Sequence, residues 1–380
     1  MRDSVWLLAL GLLVVGGAAL AVRNKAPPPP AIQPDGPVPY ARPPWVPAAV
    51  AAPATRLHLA HLPTPVHRWR PPGASNAELY IKRDDCSGSE LSGNKVRKLE
   101  FLLADAIAKD ATAVVTVGGI QSNHCRATAA AARRVGLEPH VVLRTAAPRD
   151  DPGLEGNLLV DRAVGATLHL VGEAVFAERG GAGLVDDVVA ALDQSGARAY
   201  GFPSGGSNAL GTWGYVEFVA ELERQVGSFF DRVYFACGSG GTAAGLALGL
   251  KWSNLGAELV GLCVDDDPDF FYDKLDGLFA ELGATEKSRD LLRLEDCVGA
   301  GYAASTAAEL EFLAATAAAT GVVLDPVYSG KAARGMVADL AARPCGPALL
   351  IHTGGLLGLY PKADQLKDAL GGASWGELKR

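Results

Sequence analysis

Residues 232–245 read R-V-Y-F-A-C-G-S-G-G-T-A-A-G, and this stretch decides the fold. Val233–Ala236 is a short apolar run of the kind that fills a strand buried on both faces. Glycines break the run, and an Ala- and Leu-rich helical segment follows. Strand, glycine turn and helix make the repeating unit of a parallel α/β sheet. On residues alone, three readings of Gly238–Gly245 stay open. It is an ordinary strand–helix turn, a nest of N–H groups for a phosphate, or a dinucleotide site. For the last, Gly238-x-Gly240-x-x-Ala243 fits the fingerprint, and Asp265 ends the next strand near the spacing of a ribose-binding acid. That reading would make the chain a Rossmann dehydrogenase. No Gly-Lys-Ser/Thr ending follows, so a P-loop is not expected.

The same alternation extends both ways. Strands are expected at Glu78–Lys82, Ala113–Val117, His140–Leu143, Thr167–Leu170, Glu258–Val264 and Ala348–His352. Helical stretches such as Asn94–Lys109 and His124–Val135 separate most of them. This predicts parallel sheets covered by helices, with ligands at the carboxyl ends of the strands. A length of 380 residues fits two or three domains, or one large two-lobed body. The net charge of −7, with no basic stripe interleaved with aromatics, argues against nucleic acid as a partner. Cys86, Cys125, Cys237, Cys263, Cys297 and Cys345 show no C-x-x-C pair and no His at zinc spacing. Buried free thiols are expected, and no metal site.

Val5–Val22 is uncharged and almost wholly apolar. At about 1.5 Å per residue it spans roughly 27 Å, close to the hydrocarbon thickness of a bilayer. Residues 1–25 therefore read as a single-helix membrane anchor or, given Ala19-Leu20-Ala21, a cleaved signal segment. Arg23 and Lys25 lean toward a cytoplasmic body; a cleaved signal would place it in the periplasm. Residues 26–55, with four prolines at 27–30, read as a semi-extended tether. The folded body is then expected to begin near Arg56.

Chemistry enters at Ser92–Glu100, S-G-N-K-V-R-K-L-E. Lys95 follows a Gly-Asn turn and opens a helical apolar pattern. The positive helix end and burial both disfavour an ammonium ion, which leaves a neutral amine fit for Schiff-base chemistry. A solvated surface lysine is the plainer reading of the same residue. Val117–His124, V-G-G-I-Q-S-N-H, joins a strand to a helix whose N-terminus either is simply capped by Ser122 or Asn123, or binds an anion such as a carboxylate. Leu324–Lys331, L-D-P-V-Y-S-G-K, puts a Tyr-Ser pair in a turn, and His352–Gly355 reads H-T-G-G.

Together these motifs resemble the fold-type II pyridoxal-phosphate enzymes of the D-cysteine desulfhydrase and 1-aminocyclopropane-1-carboxylate deaminase group. The likeness runs in order from about Leu59 to Tyr360. It implies an α/β, two-lobed fold with parallel and mixed sheets, a large domain of 56–97 with 210–380, a small domain of 98–209, and a homodimer. It implies that Lys95 holds the cofactor, pyridoxal 5'-phosphate, and later moves the substrate α-proton. Gly238, Ser239, Gly240, Gly241 and Thr242 would cradle the phosphate with Lys98. Asn123 would meet the cofactor ring oxygen and Ser329 the pyridine nitrogen. Ser122, Asn123, His124 and Thr353 would bind a small amino-acid substrate, with Tyr328 and Tyr302 on its other face. The deaminases of the group carry Glu and Leu where this chain has Ser329 and Thr353. A carboxylate beside the pyridine nitrogen keeps it protonated and suits ring opening, whereas a hydroxyl suffices when a good β-leaving group is expelled. The expectation is α,β-elimination from D-cysteine or a related β-substituted alanine. Ring opening of the cyclopropane amino acid, release of sulfite from cysteate, and a silent tethered binding protein are the alternatives.

Overall fold

The structure, a computed structural model, describes residues 36–74 and 77–371. Its strands, in chain order, are β1 Val38–Pro39, β2 Thr55–Arg56, β3 Val66–Arg68, β4 Leu79–Lys82, β5 Ala113–Gly119, β6 Glu138–Arg144, β7 Thr167–Val171, β8 Ala199–Gly201, β9 Arg232–Cys237, β10 Glu258–Cys263, β11 Arg293–Asp296 and β12 Ala348–Ile351. One sheet has the order β11-β10-β9-β12-β4-β3 and is parallel except at the β3–β4 edge. The other, β7-β6-β5-β8, is parallel throughout. Parallel neighbours cannot be joined by hairpins, so helices cross over between them and cover the faces. Every position of β9 is buried, which is why its sequence does not alternate.

The expected strands appear within two residues of their places. β8 and β11 were not expected. Three residues, Ala199-Tyr200-Gly201, are too few to show a period, and β11, R-L-E-D, is a charged edge strand. All six cysteines are free, but Cys86 is exposed.

The helix Lys95–Ala108 is anchored from beneath. Arg97 on its first turn donates to Asp84 at 2.8 Å and to Glu221 at 2.9 Å, and all three are buried. Lys82 pairs with the same Glu221, and the Tyr215 hydroxyl donates to Asp84 at 2.7 Å. The neighbouring helix Ala209–Val226 approaches so closely that a Cβ on Gly214 would sit 2.5 Å from the Arg97 carbonyl. This buried network fixes where the helix begins, and therefore where Lys95 stands.

Two expectations at the N-terminal end are corrected. The tether does not extend to residue 55: from residue 36 the chain packs on the body. β1 pairs antiparallel with β2, Val46 and Val50 are buried in the core, and Trp45 Nε1 donates to Glu223 at 2.9 Å. Proline content hid these few large apolar side chains, which gain enough by burial to order the segment. Membrane anchoring is also corrected. Among the described residues no helix is long and apolar enough to cross a membrane. Val5–Val22 lies outside the described residues. Length and hydropathy alone do not separate a membrane span from a targeting segment.

Candidate active site

One cleft of about 770 Å³, counting its open mouth, lies at the carboxyl ends of β5, β9, β10 and β12. Lys95 opens the helix above β4 and lines this cleft. Among the described residues its amine has no hydrogen-bond partner. Burial lowers its pKa to about 8, and the Asp265 carboxylate, also in the cleft, pulls it partly back.

Ser122 caps the helix Asn123–Arg134, accepting from the Cys125 N–H at 3.2 Å, and it also lines the cleft. The capped helix end therefore faces the cleft. Asn123, on the same wall, accepts through Oδ1 from Asn157 Nδ2 at 3.0 Å. His124 pairs its Nε2 with Thr116 Oγ1 at 2.9 Å. That hydroxyl donates its proton to the Phe202 carbonyl at 3.0 Å, so Nε2 carries the imidazole hydrogen. His124 Nδ1 is buried without a partner. Burial, aided by the charges of Lys95 and Lys98, keeps the ring neutral, its pKa well below the usual histidine value.

Gly238, Ser239, Gly240 and Thr242 form the opposite wall, where β9 gives way to the helix Gly241–Ser253. Gly240 has φ of +90°, a conformation that glycine adopts readily and a side chain would strain. Gly241 is turned away, its N–H donating to Ser207 Oγ at 3.1 Å. Lys98 lies behind this wall and off the cleft surface, donating to the Gly205 carbonyl at 3.0 Å. Burial first, and then Lys95 and Lys274, push its pKa well below the usual lysine value.

Tyr302 and Tyr328 both line the cleft, and their hydroxyls lie 2.7 Å apart. Burial raises the pKa of each, so both phenols stay protonated. Thr353 follows β12 on the cleft wall, and its carbonyl accepts from the Asn94 N–H at 3.1 Å. Ser329, like Gly241 and Lys98, does not line the cleft. It is buried away from the cleft, donating to Asp325 Oδ1 at 2.6 Å and accepting from the Asp325 N–H at 2.9 Å. Position in the motif put Ser329 beside Tyr328, but the first turn of the helix Ser329–Ala342 points successive side chains apart.

Sequence reasoning gave no part in this site to Asn94, Ser204 or Cys237, all of which line the cleft. Asp265 it noted only as a ribose acid; its place at the end of β10 was the usable signal. The glycine cradle, where the positive φ of Gly240 would strain any side chain, and the partnerless Lys95 amine fit a cofactor that carries both a phosphate and an aldehyde.

A parallel α/β fold that sets such a lysine against such a cradle belongs to the enzymes that use pyridoxal phosphate. Residues 57–354 match the family described as pyridoxal-phosphate dependent enzyme, and the chain belongs to that family. It is 49% identical over 352 residues, 90% of this chain and 87% of the relative, to the Arabidopsis thaliana bifunctional D-cysteine desulfhydrase/1-aminocyclopropane-1-carboxylate deaminase, mitochondrial. It is 34% identical to the D-cysteine desulfhydrase of Salmonella choleraesuis, covering 80% of this chain and 95% of that one. A solved structure described as an ACC deaminase homologue superposes with a TM-score of 0.73 at 35% identity, covering 83% of this chain and 96% of that one. The chain is therefore a pyridoxal-phosphate-dependent enzyme, and the dehydrogenase and silent-protein readings are set aside. The first of these relatives is named as mitochondrial.

Proposed function

We propose that the chain catalyses α,β-elimination from D-cysteine, taking up water and giving pyruvate, ammonia and sulfide. The observation that carries this reading is the meeting, in one cleft, of the partnerless Lys95 amine with the Tyr302–Tyr328 hydroxyl pair. Elimination needs a base for the α-proton and an acid near the departing sulfur, and the cleft holds both. When bound, pyridoxal phosphate withdraws electrons from the substrate α-carbon. Lys95 would hold the cofactor through Nζ, and its amine is the base in the cleft for the substrate α-proton. The Ser122 helix end binds the substrate carboxylate, with Asn123 and His124 beside it. Gly238, Ser239, Gly240 and Thr242 would receive the phosphate, with Lys98 supporting that wall from behind. The Asn123 amide would meet the cofactor ring oxygen. Tyr328, hydrogen-bonded to Tyr302, supplies the proton to the leaving thiolate.

The relatives' names support D-cysteine, and so does Thr353, a small polar side chain on the cleft wall. The two sheets support a division into 56–97 with 210–380 and 98–209. A homodimer is proposed on the resemblance alone, and sedimentation tests it. For the activity, the full chain is loaded with pyridoxal phosphate and assayed for sulfide from D-cysteine, with the L-isomer, cysteate and the cyclopropane amino acid alongside. Sulfide from the D-isomer is expected. Faster turnover of another of these compounds would replace the substrate.

A further inference from the structure

Behind the cleft wall a hydrogen-bonded relay determines how the Asn123 amide is turned. Its logic needs no choice between amide oxygen and nitrogen, because both ends of the relay are unambiguous. Arg126 is a donor only. Its Nε lies 3.1 Å from the Asn157 amide, so the Asn157 oxygen must face it. The Asn157 nitrogen then faces the other way and donates to the Gln121 main-chain carbonyl at 3.0 Å, a group that only accepts. The second N–H of the same nitrogen points at Asn123 from 3.0 Å and requires an acceptor there, which is Oδ1. Asn123 Nδ2, with both hydrogens, is left for the cleft.

Arg126 also reaches the loop that carries the lysine. Its remaining nitrogens donate to the Glu90 carbonyl and, at 2.8 Å, to the Ser92 carbonyl, three residues before Lys95. Arg126 and Asn157 are both buried. Burial lowers the Arg126 pKa only to about 10, so the relay stays charged and oriented at neutral pH.

We propose that Asn157, held by Arg126, is a positioning residue that locks Asn123 as a hydrogen-bond donor toward the phenolic oxygen of pyridoxal phosphate. The inference rests on the reading that Asn123 meets that oxygen. An amide free to rotate also samples the state in which its oxygen faces that anionic oxygen, and the lock removes that repulsive state. It also couples the Asn123 wall to the Lys95 loop through one guanidinium.

The test compares Asn157→Ala, which frees Asn123, with Asn157→Asp. The aspartate still pairs with Arg126 but offers Asn123 only acceptors, so Asn123 must turn its nitrogen inward and its oxygen to the cleft. Dissociation constants for pyridoxal phosphate and the absorption spectrum of the bound cofactor are measured with the full chain, together with Asn123→Ala and the double Asn123→Ala/Asn157→Ala variant. Removing one hydrogen bond from such a site weakens binding by about five- to tenfold. The expected result is that loss for Asn157→Ala, a larger loss with a shifted spectrum for Asn157→Asp, and no further loss when Asn157→Ala is added to Asn123→Ala. If Asn123→Ala changes neither affinity nor spectrum, the Asn123 reading itself fails. If Asn123→Ala changes both while the two Asn157 variants match each other or add fully to it, the positioning role is overturned. Should Asn157→Asp not fold, Asn157→Ser removes the same donor and is compared in the same cycle.

Discussion

The hydroxyls of Tyr302 and Tyr328 stand 2.7 Å apart across the cleft, so only one of them can donate into that bond and the other proton is free for a ligand. Tyr328 is the more buried of the two phenols, with its pKa pushed well above the usual tyrosine value, chiefly by burial. It therefore remains an acid throughout the working pH range. Tyr328→Phe should lower kcat for elimination by about a hundredfold or more. Tyr302→Phe should cost less, because it removes the orienting partner and leaves the donor. Equal, small losses in steady-state assays would take both phenols out of proton transfer.

Lys95, lowered to about 8 by burial, should govern how fast the apo chain takes up its cofactor. The neutral amine is the reactive form, and a depressed lysine pKa makes it available above about 8 rather than above the usual value near 10. The rate of cofactor uptake, followed by absorbance, should rise with pH and level off above about 8. Lys95→Ala should show no covalent uptake and no turnover. Steady turnover by that variant would refute the role of Lys95.

Ser329 and Thr353 should separate under mutation, because only Thr353 faces the cleft. Thr353→Leu should shift the ratio of D-cysteine to cyclopropane amino acid turnover toward the latter by about tenfold. Ser329→Ala should cost about 1–2 kcal/mol of stability, since Asp325 loses both its hydroxyl donor and the acceptor for its N–H. Ser329→Glu would bury a second carboxylate against Asp325, at a cost of about 3 kcal/mol or more. Denaturant unfolding of the three variants measures this. A fully stable Ser329→Glu with altered substrate preference would show that the turn rearranges to reach the cleft.

Arg97 should set acid stability. Burial alone would raise Asp84 and Glu221, but the Arg97 guanidinium outweighs it and holds both below the usual carboxylate range. Carboxylates depressed in the folded state contribute stability above the usual carboxylate pKa and lose it as the pH falls through their depressed values. Arg97→Met should destabilise the fold by about 3–5 kcal/mol at neutral pH and move the acid-unfolding midpoint, followed by circular dichroism, to higher pH. An unchanged midpoint would mean that Lys82 alone satisfies Glu221 and that Asp84 is held by its hydroxyl partners.

Much of the fold was legible because its signals are local. β5 and β9 are largely apolar runs ended by glycine, β12 is an apolar run, and Lys95 and Ser122 sit where helices begin. What stayed hidden was short or compositionally disguised. β8 is three residues long, and Trp45, Val46 and Val50 lie in a proline-rich stretch that nonetheless packs. In the site, Asp265 was visible but carried the wrong partner until β10 brought it to the same cleft as Lys95.

By itself the sequence determined the strand–turn–helix order and the places of the glycine turn and of Lys95 at a helix start, because periodicity and the freedom of glycine act over a few neighbouring residues. Only the tertiary structure decided which hydroxyls reach the cleft. It turned Ser329 inward to Asp325, although Ser329 adjoins Tyr328 in the chain, and brought Tyr302 within 2.7 Å of Tyr328 from 26 residues away. It also lined up Arg126, Asn157 and Asn123 from two helices. The physical reason is that buried polar groups must find partners wherever the packed interior offers them, and that demand has no period along the chain.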